Sequence, residues 1–73
     1  MINMNNQCAM GKEDIIFNLR KGLESEIRAL DLSRRLLAEF NDPEEREKIE
    51  GIMHDEERHV EITKRLMMIV DES

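Results

Sequence analysis

Both histidines of the chain fall in one segment, "HDEERHVEI", residues 54–62, together with four carboxylates. Imidazole nitrogen and carboxylate oxygen are donors that suit iron and manganese, so the chemistry within reach is metal ligation. Which of these side chains could share an ion depends on which way they face. On a helix turning about 100° per residue, with Glu56 set at zero, Ile49, Ile52, Met53, Val60, Met67 and Val70 all fall within about 60° of it. His59 stands about 60° to one side. His54, Glu61, Glu57 and Asp55 fall at about 160°, 140°, 100° and −100°, on the flanks or toward water. The wheel therefore selects Glu56-x-x-His59, whose i, i+3 spacing lets both side chains reach one ion.

A second carboxylate has the same character. Glu26 shares a face with Leu19, Leu30 and Leu37 and has the small residues Gly22, Ala29 and Ser33 beside it, whereas Glu24 and Asp31 point away. Small residues in that position also suit close helix packing. A lone carboxylate on an apolar face is strongly disfavoured unless it is paired or metal-bound. Arg28 and Arg58 point outward on the wheel, so a buried ion pair is not the whole answer. Two readings stand: Glu26, Glu56 and His59 are metal ligands, or they form a polar layer that fixes the register of two helices. A Glu-x-x-His pair alone is common in acidic helices; the weight rests on its facing inward.

The elements that must position these residues are two helices. Residues 1–11 are polar and unpatterned and read as a mobile tail carrying the single Cys8. Residues 12–40 lack proline and carry Ile16, Leu19, Leu23, Ile27, Leu30, Leu37 and Phe40 at helical spacing. A turn follows at 41–43, where Asp42 is a good N-cap and Pro43 suits the first helical position. The second helix runs from 43 to about 70, and "DES" is expected to fray. The chain is thus all-α, an antiparallel hairpin over 12–71 with helices of about 42 Å. With a turn near residue 42, residues at one height sum to about 84, so the level opposite Glu26 is about residue 58, roughly 24 Å from the turn. Nothing in the amphipathic pattern alone required the three residues to meet. A weak echo at a spacing of thirty pairs Leu19 with Ile49, Leu23 with Met53, Glu26 with Glu56, Leu30 with Val60 and Leu37 with Met67; two amphipathic helices also align somewhere by chance.

Seventy-three residues make one small domain at most, and two helices bury only one stripe each. The natural remedy is dimerisation of two hairpins into a four-helix bundle. Ile62, Ile69, Leu32 and Leu36 lie to the side of the main stripe, as a wide core edge or as a second interface in a larger homo-oligomer. The net charge of −6 and an aromatic content of 3% argue against nucleic-acid binding. No apolar run is long enough to span a membrane, and no secretory signal is visible. One cysteine and six methionines fit a reducing, cytoplasmic interior.

From "KGLESEIRAL" to "DEERHVEI" the chain resembles the ferritin-like superfamily, in particular the two-helix encapsulated ferritins. In that family a glutamate on the first helix is followed about thirty residues later by Glu-x-x-His, here Glu26, then Glu56 and His59. The resemblance implies a ferritin-like four-helix bundle made by dimerisation, with a di-iron centre shared between two subunits. It implies ferroxidase activity, the oxidation of Fe(II) to Fe(III) with oxygen, in iron storage. Glu56 would bridge the irons, Glu26 and His59 would be terminal ligands, and all three would be the catalytic residues. It further implies a ring-like homo-oligomer and an encapsulin shell as the surrounding nanocompartment. The chain departs from the pattern in three places. Ser25 and Arg28 flank Glu26 where family members often carry extra acids; there is no Tyr or Trp beside the site; and no recognisable targeting tail follows Ser73. A motif similarity to rubrerythrins lacks their four-cysteine iron site. The alternatives are metal binding without turnover, with manganese or another divalent ion, and a helical scaffold hairpin.

Overall fold

The computed structural model describes residues 11–73. The tail expected over residues 1–11, with Cys8, lies outside the described residues except for Gly11. Two helices follow, α1 (Lys12–Glu39) and α2 (Pro43–Glu72), and the described residues contain no strand. None of these helices is long and apolar enough to cross a membrane.

The helix ends follow from local chemistry. α1 starts after Gly11 with Glu13 and Asp14 in its first turn, where negative charge complements the helix dipole. It ends because Pro43 restricts Asp42 to extended backbone, and Phe40 is extended as well. Asp42 then caps α2, its Oδ2 accepting from the Glu45 N–H at 3.0 Å. The last carbonyls of α1 have no basic residue of their own turn to meet them. Arg46, one turn into α2, reaches back and donates to the Leu37 and Phe40 carbonyls at 2.6 and 2.8 Å. One guanidinium thus closes the helix end and ties the hairpin across its turn. At the other end of α2, Asp71 and Glu72 are helical rather than frayed, because Ser73 donates from its hydroxyl to Ile69 and Val70 and from its N–H to Val70.

The seam between the helices has a strict pattern. Ile16, Leu19, Leu23, Glu26, Leu30, Ser33, Leu37 and Phe40 recur at alternating steps of three and four. Arg46, Ile49, Met53, Glu56, Val60, Thr63, Met67 and Val70 repeat those steps thirty residues later. Apart from Ile15, Ala29 and Glu57, every described residue that is not exposed lies on one of these two series. A repeat averaging 3.5 residues keeps one stripe of each helix facing its partner with a left-handed wrap. The seam is thin: among the described residues only Val60 and Ser33 are buried, and no side chain is fully enclosed. Ser33 is accommodated there because its hydroxyl donates to the Ala29 carbonyl.

Arg46→Met is expected to lower the stability of the hairpin by about 2 kcal/mol, the worth of charge-assisted hydrogen bonds to carbonyls left without a partner. Urea denaturation followed by circular dichroism checks this, with Arg28→Met on the exposed face expected to stay within about 0.5 kcal/mol of the parent.

Candidate metal centre

Heptad spacing leaves each seam position committed to the facing helix, and at Glu26 and Glu56 that commitment falls on a carboxylate. The two helices bring Glu26, Glu56 and His59 together, so that one donor atom from each lies within 4.8 Å of the others. His59 Nδ1 stands 3.0 Å from Glu26 Oε2 and 3.5 Å from Glu56 Oε1. Glu26 meets α2 at residue 59, next to the level a turn near residue 42 requires.

The three residues differ in surroundings. The Glu56 side chain is the most enclosed, 16% exposed, Glu26 is intermediate, and His59 stands 46% exposed at the edge. Glu56 Oε1 has the imidazole beside it. Glu56 Oε2 is buried and has no hydrogen-bond partner, the sole such side-chain atom among the described residues. Leaving a buried acceptor unsatisfied costs about 1–3 kcal/mol, more for a charged group. A water, a proton or a cation would satisfy it, and two carboxylates with an imidazole are a donor set that suits iron or manganese.

The remaining polar residues of the opening segment fall elsewhere. His54 Nδ1 lies 3.3 Å from Glu57 Oε1, and Arg58 pairs with Asp55 on the exposed face. Glu57 does more than its flank position foretold: it is partly buried, and its Oε2 accepts from Arg34 of α1 at 3.4 Å. This pair closes one side of the hairpin. Measured around each axis from Glu26 and Glu56, Arg34 and Glu57 stand at about +80° and +100°. His59, at about −60°, stands on the opposite side, and so do the exposed Leu36, Leu32, Ile52, Leu66 and Ile62. The three-residue cluster is thus shut toward the Arg34–Glu57 side and open toward an apolar one. Sequence reasoning missed the Arg34–Glu57 bridge and the Arg46 cap; a wheel gives the direction of the Cα–Cβ bond but not how far a long side chain swings.

Glu56→Leu removes the orphaned oxygen and is expected to raise the metal-free melting temperature while abolishing any further rise on adding ferrous or manganous ion. Calorimetry with and without metal reads both effects. Comparison with family models, curated proteins and solved structures finds no match for the chain, so the functional reading rests on this geometry.

Proposed function

We propose that two copies of this hairpin pair through the open side into a four-helix bundle, bind two ferrous ions between them, and oxidise that iron with dioxygen. The observation that carries the reading is the buried, unpartnered Glu56 Oε2 inside a Glu26–Glu56–His59 cluster. One hairpin offers three protein ligands, and a two-fold partner offers the same three. The resulting four glutamates and two histidines match the ligand set of ferritin-like dinuclear carboxylate bundles. Four carboxylates balance the charge of two ferrous ions. Bound ferrous iron supplies the electrons that reduce dioxygen; the protein's share is placement, charge balance and an apolar surround.

Two features support the pairing. Exposed Leu36, Ile52, Leu66 and Ile62 lie on the side toward which the cluster opens, and apolar patches of this kind mark interaction surfaces. Gly22, one turn before Glu26, has nothing within 4 Å of where a Cβ would stand. A glycine inside a helix costs about 1 kcal/mol relative to alanine, and the single hairpin gives no return for it. Close approach of a second copy does.

Anaerobic ferrous titration with light scattering, followed by admission of air, tests the proposal. The expected result is two irons per dimer, iron-dependent association, and an oxidation rate lost in Glu56→Ala. Absence of binding at that ratio, or an unchanged rate in the variant, sinks it. Gly22→Ala gives a second test. In a lone hairpin it stabilises, by up to about 1 kcal/mol; in the paired bundle the added methyl weakens iron-dependent association, which sedimentation measures.

The Glu26–His59 contact at 3.0 Å favours one other reading, a polar layer that fixes helix register without metal. There, Glu26→Leu with Glu56→Leu stabilises the assembly and metal changes nothing.

A further inference from the structure

Oxidation at a buried site puts reactive oxygen against whatever side chains surround it. The chain has no tyrosine and no tryptophan to take up oxidising equivalents. Its phenylalanines, Phe17 and Phe40, stand toward the two ends of α1, far from Glu26. The side chains of the described residues that peroxide itself oxidises most readily are the thioethers Met53, Met67 and Met68. They are not equivalent. Met68 is 61% exposed and sits three turns beyond Glu56. Met67 lies in the seam at the same distance. Met53 lies in the seam one turn before Glu56, at i and i+3 on one helix face, where side chains are neighbours.

Resting on the ferroxidase reading, we propose that Met53 is a self-modification site: hydrogen peroxide released at the Glu26–Glu56–His59 cluster converts its thioether to the sulfoxide. Two ferrous ions give one electron each to dioxygen, which takes up two protons to form hydrogen peroxide. The Met53 sulfur then attacks one peroxide oxygen. The O–O bond breaks as the S–O bond forms, a proton passes to the departing oxygen, and water leaves. Sulfur is oxidised by two electrons and the peroxide is reduced by two. The product is a polar S–O dipole in the apolar seam, one turn from Glu56, where it opposes the helix pairing that holds the ligands together. Turnover thus limits itself, and because methionine sulfoxide is enzymatically reducible, the loss is reversible.

Exposure and proximity give opposite orders of attack, which makes the idea testable. Peroxide added to the iron-free full chain meets the exposed Met68 ahead of Met53. Peroxide made at the cluster meets Met53 first. The experiment is peptide mass spectrometry after successive aerobic additions of ferrous iron, with absorbance recording iron oxidation and catalase present to remove peroxide that escapes to bulk. The expected result is Met53 sulfoxide accumulating several-fold faster than Met68 sulfoxide during iron oxidation, with the order reversed under added peroxide and no iron. Met53→Leu, a volume-conserving change, is expected to leave the first-cycle rate unchanged and to sustain more cycles. Methionine sulfoxide reductase is expected to restore the melting temperature of the oxidised parent. Iron oxidised with Met68 modified as fast as Met53, or with Met53→Leu losing activity on the parent's schedule, overturns the proposal and leaves the ferroxidase reading standing. No iron oxidation at all overturns both.

Discussion

A carboxylate that faces a helix seam must be neutralised by something, and in this chain the seam is too thin to hide the problem. Two such groups, Glu26 and Glu56, occupy matching positions of a thirty-residue repeat and end at one height. The hairpin supplies one imidazole between them and leaves Glu56 Oε2 with no partner. The features around the cluster bear on this unsatisfied requirement. Arg34 and Glu57 close one side, which confines access to the other. That other side carries the exposed aliphatic residues Leu36, Ile52, Leu66 and Ile62, with the Arg58–Asp55 pair beside them. A cluster of two carboxylates and an imidazole thus opens toward exposed aliphatic side chains, and under the proposed pairing a second copy with cations between would meet both needs.

The energetics favour the same arrangement. A hairpin in which only Val60 and Ser33 are buried has little hydrophobic stabilisation of its own. Its turn is held by local polar chemistry, the Asp42 cap and the Arg46 guanidinium on two α1 carbonyls. These fix the register near the turn, and the 3.5-residue repeat carries that register along the seam to the cluster about four turns away. A one-residue slip at the turn would carry Glu26 out of reach of His59. The Arg46 cap and the cluster are thus linked although they lie at different levels of the hairpin.

Much of this was legible in the sequence for identifiable reasons. Asp42-Pro43-Glu44-Glu45 favours a helix start, and a short connection between two long amphipathic helices favours an antiparallel pair; the height of Glu26 against Glu56 and His59 then follows by counting. The full seam was harder to see, because Ser33, Thr63 and Arg46 hold positions where apolar residues were sought, which hid three members of the heptad series. Ser33 fits by bonding back to Ala29, and Arg46 by bonding to carbonyls beyond its own helix. Glu57 was read as a flank residue since its Cβ stands well off the seam, yet its length and the reach of Arg34 bring the two together.

The arrangement also says something about where control lies. His59 is the candidate ligand at the open edge, Glu26 is intermediate, and Glu56 is the most enclosed. A cation approaching an unpaired hairpin meets the imidazole first and the orphaned oxygen last. In the proposed pairing the edge holding His59 would become interior, and its imidazole would pass from a group shared with water to one committed to the site. In the proposed assembly, enclosure of the cluster and association of the chains would be one event, so the two would be thermodynamically linked: metal would favour association by the same factor by which association favours metal.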